Sequence, residues 1–177
     1  MSPPYDLYFT ASPTANPRQC IILGEDVEPI FYRFETPEVF MTNKRTTVYR
    51  NQDEMVAIFD WSTDLYLGLC TVKDRQPFAM AMLVLPGSTP SSRAFFLNGA
   101  KFEWRRLRED QLNYDLYHAP QNQNGPGVRI ASFRTVDQAT PLGPAHGFLQ
   151  YNFVQPALLL EALLALSLNR WLDMHAM

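Results

Sequence analysis

Two cysteines, Cys20 and Cys70, in 177 residues are too few for a disulfide scaffold. Both sit in apolar runs, Cys-Ile-Ile-Leu and Leu-Gly-Leu-Cys, where a free thiol behaves as a small apolar side chain. That usage suits a reducing compartment, so the expected location is the cytoplasm, with membrane association left open. Histidine is as scarce. His118, His146 and His175 stand far apart, and no two have the spacing of a zinc site. No metal and no other cofactor is expected. The net charge of −3 lacks the basic surplus that nucleic-acid binding usually needs, so no nucleic-acid partner is expected. Residues 1–5 carry no basic segment leading into an apolar core, which predicts no secretory signal. The longest apolar run, 156–168, contains Glu161 and falls short of the ~20 residues of a membrane span.

Catalytic signatures are missing as well. Gly125-Pro126-Gly127 reads as a turn, because the Lys-Ser/Thr of a phosphate-binding loop does not follow it. No nucleophile elbow surrounds a serine or cysteine. Sites that assemble only in space leave no such trace, and the expectation is a protein that is not an enzyme.

What the chain does have is strand-forming sequence. Hydrophobic residues make up 46% and charged residues 19%, a composition that folds. Phe, Tyr and Trp reach 13%, which favours strands. Twelve short alternating or β-rich runs can be read: 5–10, 19–23, 30–34, 46–50, 54–61, 66–72, 79–85, 93–97, 100–107, 111–118, 128–133 and 147–152. Pro, Gly, Asn and Ser separate them, as at 11–17, 85–92 and 121–127. Many short strands with turns and no helix between them mean antiparallel sheet, in a sandwich or barrel. Asn98-Gly99 is the preferred pair for a two-residue type I′ turn. It sets Leu97 opposite Ala100, Phe95 opposite Phe102 and Arg93 opposite Trp104, all on one largely aromatic face. The other face carries Ala94, Phe96, Lys101 and Glu103.

After Gln155 the period changes. Pro156 suits a first helical turn, and leucines and alanines then follow to Leu172 without a β-branched residue. The apolar positions go right round this helix, so it must be enclosed on all sides. A barrel wider than eight strands has room for a helix ~10–12 Å across. The expected fold is therefore mainly β: one domain over 1–177, about twelve antiparallel strands over 5–152, closed as a barrel around a buried helix at about 156–174.

The residues that carry this pattern are Leu7-Tyr8-Phe9, Ile30-Phe31-Tyr32 with Thr36, and Val56-Ala57-Ile58-Phe59-Asp60-Trp61. The segment Phe96 to Arg105 and the leucine-rich helix complete it. Together they resemble the tubby C-terminal-like superfamily of tubby, phospholipid scramblase and LURP-one-like domains, and more narrowly an uncharacterised fungal family within it. The resemblance implies a barrel of twelve strands threaded by a hydrophobic helix. It implies no settled activity. Some members bind phosphoinositide headgroups through surface Lys and Arg.

The strongest local charge feature is 93–108, where Arg93, Lys101, Arg105, Arg106 and Arg108 stand against Glu103. Read with the resemblance, these five are a candidate anionic-lipid site. Two plainer uses stand beside it: a solvated strand face, and Arg93 lying over Trp104 as a cation–π pair. Glu161 is the charged residue in the apolar helix, and it calls for a basic partner or a wet barrel mouth. The functional expectation is a non-catalytic binding module for anionic lipid such as a phosphoinositide. A structural or protein-interaction domain is the alternative, and an enzyme of unknown class a remote one.

Overall fold

The tightest turn sets the first register. The computed structural model describes residues 4–11, 15–25, 29–37, 44–63, 66–109, 112–119, 125 and 127–175. Asn98 and Gly99 take φ of 51° and 79°, the left-handed pair that a type I′ turn requires. β9 (Ser92–Leu97) and β10 (Ala100–Arg106) pair in the expected register, with Phe95 opposite Phe102 and Arg93 opposite Trp104. Phe95, Phe102 and Trp104 are buried on their common face. The opposite face holds a surprise: Ala94 and Glu103 are buried there too. Ser88 donates its N–H and hydroxyl to Glu103 Oε1 at 2.8 and 2.6 Å, so the 87–91 turn roofs the outside of this hairpin.

The remaining strands are β1 (Tyr5–Thr10), β2 (Cys20–Glu25), β3 (Pro29–Glu35), β4 (Arg45–Arg50), β5 (Glu54–Asp60) and β6 (Leu69–Val72). Two-residue strands β7 (Phe78–Ala79) and β8 (Leu85–Pro86) precede β9. β11 (Tyr114–Ala119), β12 (Val128–Thr140) and β13 (Gly143–Tyr151) follow β10. They form one antiparallel sheet of 13 strands, in the order β7-β6-β5-β4-β3-β2-β1-β13-β12-β11-β10-β9-β8. The first and last strands thus pair in the middle of the sheet, and its two edges lie in the middle of the chain. The expected turn at 121–127 and the expected strand start at Gln111 lie wholly or partly outside the described residues.

Two expectations change. Among the described residues the strands number 13, where about twelve were expected, and hydrogen bonds do not close the sheet. The run 79–85, read as one strand, divides into β7, a 3₁₀ turn at Met80–Leu83 and β8. The cause is local. Met-Ala-Met-Leu prefers helical backbone, and Pro86 has no N–H to offer a ladder. This turn links the two edge strands of the sheet, β7 and β8.

Helix α1 (Pro156–Met174) begins at the expected proline and is buried without a break from Leu158 to Leu172. Its partners come from all round. Trp104 Nε1 on β10 donates to Ala162 O at 3.1 Å, and Ser167 Oγ donates to Pro17 O at 2.8 Å. The Trp171 ring lies 5.3 Å from Trp61 after β5, and the Arg170 guanidinium lies 4.8 Å from the ring of Phe133 on β12. The helix therefore supplies the core that both halves of the sheet share. Among the described residues, no helix is long and apolar enough to cross a membrane.

Because neighbouring strands alternate in direction, their ends gather at two rims. Tyr5, Arg50, Glu54, Val72, Leu97 and Tyr151 surround the N-terminus of α1. Thr10, Cys20, Trp61, Arg93, Arg106 and Tyr114 surround its C-terminus.

Candidate functional site

Strand alternation divides the expected basic patch. Arg93 and Arg106 point inward at the C-terminal rim, where Arg93 reaches Asp173 Oδ1 at 3.0 Å and Asn169 Oδ1 at 3.1 Å. Arg106 approaches the same Asp173 oxygen at 3.6 Å. Lys101 and Arg105 face outward. Arg105 lies over Tyr117 at 4.0 Å and reaches Glu103 at 3.5 Å, while Lys101 stands opposite Phe96. Arg108 is exposed beyond the end of β10. The five do not converge, and Arg93 goes to the helix rather than over Trp104.

The C-terminal rim is packed shut by cations. Arg18 lies 3.9 Å from the Trp171 ring and 4.7 Å from Trp61, and Arg170 donates to Ala15 O at 3.1 Å. Arginines near a helix C-terminus sit favourably against its carbonyl end. Asp173 gathers them, and its Oδ2 accepts from the Tyr114 hydroxyl at 2.6 Å. Burial, then this hydrogen bond, raises the Tyr114 pKa.

His146 lies near the same end, with both ring nitrogens sealed from solvent and without hydrogen-bond partners. Burial, then the Arg170 charge, pushes its pKa down to about 4. The fold thus favours the neutral ring, and an unfolded histidine titrates near ~6.5. Its contribution is intact above pH ~6.5 and is lost as the pH falls toward 4. Glu54 and Glu103, both held at about 2, add their own loss from about pH 4.3 downward and overlap only the foot of that window. Replacing His146 by Phe is expected to flatten the loss of stability between pH 6.5 and 4 in urea titrations. An unchanged slope would contradict this role.

The N-terminal rim is open. A cavity of 430 Å³ lies beside Tyr5, Tyr32, Tyr151, Phe153, Leu159 and Arg50. A second of 470 Å³ shares Arg50 and continues past Lys73, Leu160 and Phe96 to Arg75 and Glu161. A third of 430 Å³ extends from Arg75 and Glu161 to Phe78 and Met82. The charges here are ordered. Arg50 holds Glu54 through two bonds of 3.2 and 2.8 Å, and Lys73 reaches it at 3.1 Å. The Arg50 bond, then the Lys73 bond, keeps the Glu54 carboxyl down at about 2. Arg75 NH1 pairs with Glu161 Oε1, which supplies the basic partner that the sequence called for.

Arg50, Lys73 and Arg75 were missed by sequence reasoning. Arg50 opposite Glu54 across the Asn51-Gln52-Asp53 turn was a findable signal. Nothing in the sequence links Arg75 to Glu161, 86 residues away. Among the described residues, no three His, Cys, Asp or Glu side chains gather as a metal site. Burial pushes the Cys20 and Cys70 thiols up to about 12, so neither is a thiolate at neutral pH.

No curated protein and no solved structure matches the chain. Residues 15–164, most of the sheet and the first half of α1, match one family. The chain belongs to the family of unknown function DUF6593.

Proposed function

We propose that the protein is a non-catalytic binding module that associates with anionic membrane lipid through the rim around the N-terminus of α1. One observation carries this reading: cavities, exposed apolar side chains and cations coincide at that rim. Phe96, Met82 and Val154 are 46%, 50% and 67% exposed. Arg50, Lys73 and Arg75 line the cavities beside them, and Lys101 stands opposite Phe96. Apolar side chains that enter the interface, together with cations at ~1 kcal/mol each, are what a peripheral module uses to dock on anionic lipid. Relative to the sequence reading, the site keeps Lys101 and gives up Arg93 and Arg106 to the opposite rim. Kinship with the tubby-like superfamily belongs to the same proposal, as does treating the sheet as one barrel. A sheet of 13 strands around a C-terminal helix, its edges joined by a short turn, supports both.

Co-sedimentation with liposomes tests the proposal. Binding is expected to need anionic lipid and to fall at high salt. It is expected to drop when Lys73 and Lys101 are both replaced by Glu, and to survive Arg108→Glu at the far rim. Absence of binding under every condition would leave a protein-interaction role as the better reading.

A further inference from the structure

Glu161 lies about one and a half turns into α1, with its side chain 3% exposed. Arg75 occupies Oε1, yet Oε2 is sealed from solvent and has no hydrogen-bond partner. An ionised carboxylate has acceptor sites on both oxygens, and leaving a buried one empty costs free energy. Two of the three cavities meet at this group, and Arg75, Phe96 and Glu161 line both. Arg75 is the movable member of the pair: its side chain is 43% exposed, and its guanidinium rests 4.9 Å from the Phe78 ring. Val56, Val72 and Leu160 form apolar wall, and Pro156 and Ala157 bring the start of α1 to the 470 Å³ cavity. That first turn has no acidic residue and no side-chain cap from Gln155. The site therefore offers the buried Glu161 carboxylate, apolar wall, and the helix N-terminus together with the Arg50–Glu54–Lys73 group, in which two cations share one carboxylate.

We propose that the joined cavities receive the head of an amphipathic primary amine, whose ammonium displaces Arg75 and donates N–H bonds to both oxygens of Glu161. This rests on reading the N-terminal rim as a ligand entrance. One cation replaces another at the same carboxylate, so the exchange buries no unpaired charge. A quaternary ammonium carries the same charge but no N–H, and leaves Oε2 as it was. The ligand is either a free long-chain amine or the headgroup of an aminophospholipid. A lipid phosphate beside the amine would meet Lys73 and the positive end of α1.

Titration calorimetry of the full chain with octylamine and with octyltrimethylammonium, both below micelle formation, tests the site without a membrane. Octylamine is expected to bind saturably and about tenfold more tightly, the factor for one hydrogen bond to a charged group. Equal affinities, or no saturable octylamine binding, overturn the proposal. Glu161→Leu is expected to abolish octylamine binding while the chain stays folded. Arg75→Ala is expected to melt at lower temperature and to be rescued by octylamine at about a tenth of the concentration that its quaternary analogue needs. Equal rescue by both at the same concentration would overturn the proposal, and if Arg75→Ala fails to fold, the wild-type comparison decides. Phosphatidylethanolamine vesicles compared with phosphatidylcholine vesicles then identify the source. Extra binding that octylamine competes away assigns a lipid headgroup, and none assigns a free amine. Because calorimetry needs no lipid, loss of the amine site leaves the liposome result standing, and the reverse holds too.

Discussion

A chain ending at Asn152 is expected not to fold. Eight leucines of α1, from Leu158 to Leu172, are buried in the intact protein. At roughly 1.5–3 kcal/mol each, their burial is worth about 12–24 kcal/mol as an upper bound. Typical domain stability is only ~5–15 kcal/mol. The loss reaches beyond the helix itself. Phe9, Phe95, Trp104 and Phe133 would face a void from opposite walls of the sheet, and the Trp104 indole would lose its acceptor on Ala162. No rearrangement of strands fills a space of helical width. The truncated chain is expected to show no cooperative thermal transition by circular dichroism and no dispersed amide spectrum. A soluble 1–152 chain with a sharp melt would refute this account of the core.

Asp173→Ala is expected to cost about 3 kcal/mol, the low end for removing one partner of a buried ionic group, because the Arg93 and Arg106 side chains keep 22% and 25% exposure. Asp173 is the carboxylate between Arg93 and Arg106, and it also accepts from Tyr114. Without it, two inward guanidiniums face each other beside Arg170, which is itself 6% exposed. Tyr114→Phe removes one hydrogen bond to a charged group, at about 1.5–3 kcal/mol. The two changes share a contact, so the double variant should lose less than the sum of the singles. Urea unfolding of the four proteins measures this. A cost below 1 kcal/mol for Asp173→Ala, or strict additivity, would mean that the rim is held by the aromatic rings over which Arg18 and Arg170 lie.

The readable and unreadable parts of this protein divide by range. The β9–β10 register was legible because Asn98-Gly99 permits one tight turn, and the helix because Pro156 and the leucines break the strand period. β12 and β13 were read too short. Their hairpin runs past both neighbours, since β11 pairing ends at Tyr114–Phe133 and β1 pairing at Phe9–Gly147. Out there Pro144 has no third strand to satisfy, so a residue that reads as a break is tolerated. The basic stretch was legible as charge but not as geometry. Alternation sends Arg93 and Arg106 in and Lys101 and Arg105 out, and only the folded helix shows that Asp173 awaits the inward pair. The open rim was least legible, because Arg75 and Glu161 meet through the tertiary fold alone.

The pairing of β1 with β13 also fixes an order of events during synthesis. The strands β1–β7 and β8–β12 leave the ribosome as two meanders without ladder bonds between them. The strand that sews them together, β13, is made after both meanders, and the helix that fills them comes after it. Until then each meander carries an uncovered aromatic inner face. Completion of the sheet therefore waits on contacts between strands far apart in sequence, which makes it slow. A chain that lacks β13 and α1 is thus the species most exposed to aggregation.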